Sequence, residues 1–247
     1  GNECTSDQRR GDAMVDSEAP KEILVFEQDF SKFEESLKDE VWEVDGDEEN
    51  LKLYATEAKD AEPGALVLMT SGGIASVSEL MHPFDAPGVQ VSRLTIALLC
   101  ESIDLESNGT FTVGLAFDDD LEEAVLLACT IRRPRPEPKL PREPGDPPEE
   151  PEVPKPIALH VNGQVIEDLG DLPQRLELDI QLSWKERTTV VKHKLHPSFR
   201  DEEVEVASQT MGFYTTDVPF EVAKAVFLRA TGSVTVRLVS LKCSCAT

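Results

Sequence analysis

A dense run of prolines interrupts this chain, and the sequence on either side of it has one and the same strand-like character. Residues 132–156 read RRPRPEPKLPREPGDPPEEPEVPKP, ten prolines in twenty-five residues. Proline has no amide hydrogen to give to a sheet ladder, so such a segment cannot run through a sheet interior. It is expected to leave the fold as an extended arm, biased towards polyproline II at about 3.1 Å per residue. Because both flanks alternate with a period of two, 132–156 reads as a loop inserted into one β-sandwich of residues 21–247. It does not read as a linker between two domains. An arm of this kind offers a partner, or a second copy of the chain, a pre-extended surface for association.

The alternation is clearest in RLELDIQLSW, where Leu176, Leu178, Ile180 and Leu182 oppose Glu177, Asp179, Gln181 and Ser183. It recurs in LKLYATEA, VQVSRLTIALLCESI, TFTVGLAF, TTVVKHKL and SVTVRLVSLKCSC. Asn108-Gly109 and Asn162-Gly163 predict hairpin tips, since both residue types tolerate positive φ. Thr231-Gly232-Ser233 predicts the turn of the last strand pair. A short helix is expected around Lys32–Leu37. About a dozen short strands with almost no helical period predict an all-β, two-sheet antiparallel sandwich with jelly-roll proportions. Residues 1–20 have no periodicity and read as an N-terminal tail.

Charge narrows the partners. Of 247 residues 48 are acidic and 24 basic, a formal net charge of −24. A surface of that sign repels phosphate backbones, which argues against nucleic acid as a partner. No apolar run approaches the ~20 residues of a membrane-spanning helix. Of the five cysteines, Cys100 and Cys129 fall on apolar faces. They fit either buried thiols or a disulfide across adjacent strands. Cys243 and Cys245 share one strand face, which disfavours a bond between them.

Read in order, FEQDFSKFEESLKDEVWEV, GALVLMTS, VQVSRLTIALLCE, FTVGLAFDDD…AVLLACTI and GSVTVRLVSLKC resemble the concanavalin A-like lectin/glucanase superfamily, which includes laminin-G-like modules. The match covers residues 21–131 and 157–247. The resemblance implies a jelly roll that serves as a sugar-binding lectin, an adhesion module or a polysaccharide-cleaving enzyme, acting outside the cell, in the periplasm or at the cell surface. Fold alone does not choose among these. It also implies that Trp42, the early tryptophan of the pattern, is a packing residue.

Three sets of side chains are candidates for chemistry. Glu43, Asp45 and Glu48 spell the E-x-D-x-x-E string that in the superfamily's glucanases carries nucleophile, assisting carboxylate and acid/base. Carboxylates about 5–5.5 Å apart suit retaining hydrolysis. Here, however, the string follows the first strand and contains a turn-forming Asp-Gly, so it reads as an acidic turn. Glu177 and Asp179, with Gln181 beside them, share one strand face, and with Trp184 and Tyr214 they are candidates to line a glycan site. Asp118, Asp119 and Asp120 form an acidic turn able to offer oxygens to Ca²⁺, the one cofactor the sequence suggests. His193 and His196, three apart on a strand, are expected on opposite faces, and His82 and His160 read as loop and strand-surface residues. Two tryptophans and two tyrosines provide few platforms for stacking sugar rings, which disfavours a long polysaccharide groove. These features favour a non-catalytic surface module that binds a glycan or a protein. A glycoside hydrolase using paired carboxylates on a concave face is the alternative.

Overall fold

A computed structural model describes residues 22–30, 42–46, 49–59, 62–73, 76–85, 88–118, 125–133, 156–197, 204–212 and 222–246. The expected helix at Lys32–Leu37, the N-terminal tail, and Glu48, Asp119, Asp120 and Tyr214 lie outside these residues, as does 134–155 of the proline-rich segment. Among these residues there are fifteen strands: β1 Glu22–Asp29, β2 Glu43–Gly46, β3 Leu51–Thr56, β4 Ala65–Ser71, β5 Val77–Pro83, β6 Arg93–Ile103, β7 Thr110–Ala116, β8 Val125–Arg132, β9 Ile157–Val161, β10 Gln164–Gly170, β11 Gln174–Ser183, β12 Thr188–Pro197, β13 Ala207–Gly212, β14 Ala225–Thr231 and β15 Ser233–Ala246.

They form two antiparallel sheets packed as a jelly-roll sandwich. The eight-stranded sheet runs β13-β12-β11-β6-β15-β4-β3, with β1 also paired to β15. The seven-stranded sheet runs β10-β9-β8-β7-β14-β5-β2. Each sheet takes strands from before and after the proline-rich segment. Strands β8 and β9, which flank that segment, are direct neighbours with Arg132 opposite Ala158, so the chain leaves and rejoins the sheet at one place.

The alternation of β11 explains the layering. Leu176, Leu178, Ile180 and Leu182 point inward beside Leu94, Ile96 and Leu98 of β6 and meet the other sheet's Phe111, Val113, Leu115 and Leu228 in one core. Each such side chain contributes about 1.5–3 kcal/mol when fully buried. Strand β15 serves two neighbours on one side. Its first half pairs with β4 and its second with β1, with a register shift between Leu238 and Ser240. The extra residue keeps both Leu238 and Leu241 buried.

Two expected hairpins are corners between sheets. Asn162-Gly163 does close a hairpin, with φ of 46° and 81° and Val161 opposite Gln164. Asn108-Gly109, by contrast, lies between β6 of one sheet and β7 of the other, and Gly232 lies between β14 and β15, again of different sheets. The two corners lock together. The Ser233 amide donates to Ser107 Oγ at 2.9 Å, and the Asp104 amide to the Ser233 carbonyl at 2.9 Å. A side chain on Gly232 (φ 65°) would sit 2.6 Å from the Ser107 carbonyl. The close approach of the corners, and not a hairpin, is what requires glycine there.

The cysteines resolve towards the thiol reading. Cys100 stands in the eight-stranded sheet and Cys129 in the seven-stranded one, and both are free. Burial pushes the thiols of Cys100, Cys129 and Cys243 up to about 12. Trp42 is buried edge-on to Phe26, with ring centroids 6.0 Å apart, and beside His82 at 5.3 Å.

Candidate functional site

The outer side of the eight-stranded sheet carries a shallow groove of about 480 Å³, and register explains why it is there. On β11, Glu177 stands between Ala97 of β6 and Lys194 of β12, and Asp179 stands between Thr95 and Lys192. Ser240 of β15 lies opposite Ala97. Three small side chains, Thr95, Ala97 and Ser240, therefore form the floor, and longer ones rise beside it. Val206, just before β13, adds an exposed apolar wall.

The carboxylates of the groove are committed to arginines. Arg93 donates to both oxygens of Asp179, Nε to Oδ1 at 2.7 Å and Nη2 to Oδ2 at 3.0 Å, and its Nη1 reaches Glu22 at 3.0 Å. Hydrogen bonding to Asp179 raises the guanidinium further above its already high value. Arg175 Nη2 donates to Glu177 Oε1 at 2.7 Å. Lys192 and Lys194 form no ion pair among the described residues.

The other predicted residues lie elsewhere. Gln181 is on the same outer face, opposite Arg93 and Val190. Trp184 follows β11 and packs on the core, its indole Nε1 donating to the Val91 carbonyl at 2.6 Å. It therefore anchors a turn and presents no ring to the groove. Glu43 and Asp45 belong to β2, an edge strand of the seven-stranded sheet, and correct the expectation of a turn there. The ladder with β5 carries on through Gly46, with Asp45 opposite Glu79. Their side chains share one exposed face. Asp118 has Lys224 Nζ at 3.9 Å, and no group of three or more His, Cys, Asp or Glu suited to a metal occurs among the described residues.

The histidines are more buried than the sequence suggests. His193 and His196 do face opposite sides. His193 turns inward, and its Nε2 lies 3.0 Å from Glu167 Oε2 on β10, bridging β12 of one sheet to the edge strand of the other. His160 is on a strand, but only 3% exposed, and among the described residues neither ring nitrogen has a well-aligned hydrogen-bond partner. Burial, with the nearby Arg132 charge, holds its pKa below the ordinary 6.5.

A second polar face lies outside the seven-stranded sheet. Register aligns His160, Thr130, Thr112, Arg229, Glu79 and Asp45 across six strands. Thr112 and Thr130 hydroxyls are 3.0 Å apart. Arg229 Nε is 2.5 Å from Glu79 Oε1 without hydrogen-bond alignment, and its guanidinium lies 6.0 Å from the Phe227 ring centre.

Sequence reading missed Lys192, Lys194, Thr95 and Ser240 as groove residues. The signal was present in VVKHKL, where the two lysines alternate with His193. The histidines drew the attention, and the lysines between them share the outer face with Glu177 and Asp179.

No protein-family model matches the sequence, and no curated protein matches it. Among solved structures, peanut lectin with a nine-residue peptide superposes at a TM-score of 0.53 with 13% identity, over 91% of this chain and 97% of that one. Lectin II from Ulex europaeus superposes at 0.51 with 12% identity, over 90% and 99%. Winged bean acidic lectin, complexed with methyl-α-D-galactose, does so at 0.50 with 10% identity, over 90% and 99%. At such identities the likeness concerns fold, and it extends over both sheets. This chain therefore shares the two-sheet jelly-roll fold of these lectins.

Proposed function

We propose that this chain is a non-catalytic binding module, acting outside the cell or at its surface, that holds a glycan in the groove of the eight-stranded sheet. The observation that carries this reading is the state of Glu177 and Asp179. General acid/base chemistry needs one carboxyl protonated and one ionised, in environments that push them apart. Here each carboxylate already accepts hydrogen bonds from an arginine, so neither stands free as a proton donor or a nucleophile. Such fixed carboxylates suit sugar hydroxyls, since an ionised carboxylate has about four lone-pair sites and Arg93 takes two of those on Asp179. The superfamily fold supports the reading, as a scaffold on which a solved relative in fold carries a bound galactoside.

The test is a glycan array probed with the intact chain, run beside a hydrolysis assay on β-glucans and galactans. Binding without turnover, weakened by Asp179→Asn, is the expected result. Hydrolysis abolished by Glu43→Gln with Asp45→Asn, or by Glu177→Gln with Asp179→Asn, would establish the enzymatic alternative instead.

A further inference from the structure

We infer that the ligand of this groove is an acidic sugar, a glycan whose carboxylate sits between Lys192 and Lys194. The inference rests on the groove reading above and adds the charge of what fills it.

The chain has twice as many acidic as basic residues, so a cation on its surface readily finds a carboxylate. Arg93, Arg175, Arg237 and Lys242 on this same face do, while Lys52 of β3 has no carboxylate opposite it and pairs with none among the described residues. Among the described residues Lys192 and Lys194 also pair with none, although Asp179 and Glu177 stand directly opposite them in the ladder. Those two carboxylates are drawn to arginines instead, Asp179 to Arg93 of β6 and Glu177 to Arg175 of its own strand. The groove is thus bordered by two ammonium groups whose cross-strand neighbours, Asp179 and Glu177, already accept hydrogen bonds from arginines.

Spacing makes the pair useful. Residues i and i+2 of a strand point to the same face about 6.6–6.8 Å apart along it, at 3.3–3.4 Å per residue. Two flexible lysine stems at that separation can converge on a single carboxylate. The rest of the lining suits a sugar ring. Thr95 and Ser240 provide hydroxyls, Asp179 and Glu177 retain acceptor sites, and Ala97 and Val206 provide apolar contact for the ring's carbon face. A volume of about 480 Å³ falls within the ~300–1,000 Å³ of small-ligand sites. The net charge of −24 does not forbid an anion here. Exposed charges further than about 8 Å away are largely screened at physiological ionic strength, so the local pair dominates.

The experiment is titration calorimetry of the intact chain with oligogalacturonate and, separately, with an uncharged galactan oligosaccharide of similar length. The variants are Lys192→Gln/Lys194→Gln and Asp179→Asn, with melting curves to confirm that each is folded. The expected result is tenfold or greater preference for the charged oligosaccharide, lost in the lysine double variant and weakened by added salt. Equal binding of both oligosaccharides, still sensitive to Asp179→Asn, would overturn the charge inference and leave the groove reading standing. Oligogalacturonate binding indifferent to the lysines would overturn it too, as would tighter binding of a polyglutamate peptide through them. Binding of neither oligosaccharide would overturn both.

Discussion

On the outer side of the eight-stranded sheet, Arg93, Arg237 and Lys242 reach carboxylates across strand boundaries and remain partly open to water. On the outer side of the seven-stranded sheet, equivalent positions hold Thr110 against Thr231, Thr112 against Thr130, the buried His160 and a wholly buried Phe227. The two faces come from one alternation, and their chemistry diverges around Phe227 and His160, where the outer side of the seven-stranded sheet is buried, while at its β2 edge Glu43 and Asp45 are exposed and Arg229 pairs with Glu79. Charged side chains in ion pairs can satisfy a wet face. A covered face needs short hydroxyls that bond one another and apolar bulk, and Phe227 packs there with Ala116, Met81 and Val125. Alternation therefore fixes which way a side chain points and leaves open what it meets.

The largest effect that would break this comparison is at Phe227. If the outer face of the seven-stranded sheet is covered, Phe227→Ala removes a buried ring and should cost about 3–5 kcal/mol. Thr95→Ala, outward-facing on the other sheet, should stay within about 0.5 kcal/mol. Urea unfolding of both variants measures the difference. Similar midpoints would mean that the two faces are equally open.

The next effect concerns the bridge from β12 to β10. Glu167→Ala leaves the buried His193 ring without its acceptor, and an unsatisfied buried donor costs about 1–3 kcal/mol. Glu177→Ala, which removes an acceptor from the more exposed Arg175, should cost less than about 1 kcal/mol. A smaller loss at Glu167 than at Glu177 would show that the bridge between sheets carries no stability.

Much of the fold was legible because a sandwich needs only direction. The strict alternation of β11 placed its leucines inward, and Trp42 packed as the superfamily pattern implies. Pairing was less legible. Asn108-Gly109 has hairpin chemistry, but sequence cannot say that β6 and β7 part to opposite sheets, because that is decided by the packing of the Gly232 corner against Ser107. Covering was hardly legible at all. All five residues of β9, Ile157–Val161, are buried on both faces, and nothing local in IALHV separates His160 from a surface histidine. The groove lay between these cases. Glu177, Asp179 and the outward lysines could be placed on one face, but the arginines that claim the carboxylates come from register, across β6 for Arg93 and along β11 for Arg175.

A pH scan sharpens the comparison at His160. Its folded pKa is depressed, first by burial and then by Arg132. Below the ordinary 6.5 the unfolded chain takes up a proton that the folded chain refuses, so stability falls as pH drops through that window. Above it the group contributes no slope. One such site gives at most about 1.4 kcal/mol per pH unit. Because other groups also titrate, the quantity to measure is the difference between the chain and His160→Gln, which should flatten the curve between pH 6.5 and 5. Parallel curves would mean that His160 is as open to water as a residue of the solvated face.

The smallest effect tests whether the solvated face is held together by its ion pairs or merely arranged by them. Arg93 and Asp179 meet with two hydrogen bonds, a geometry that favours coupling. Their side chains are still 36% and 25% exposed, so water competes for both charges, and Glu22 shares the guanidinium. A double-mutant cycle of Arg93→Ala and Asp179→Ala should give a coupling of about 0.2–1 kcal/mol, reduced by added salt. Either single variant should leave the unfolding midpoint close to that of the intact chain, far from the loss at Phe227. A coupling several times larger, insensitive to salt, would place the pair in a covered environment and remove the distinction between the two faces. It would also tell against the groove, because Asp179 can accept sugar hydroxyls only if water reaches it first.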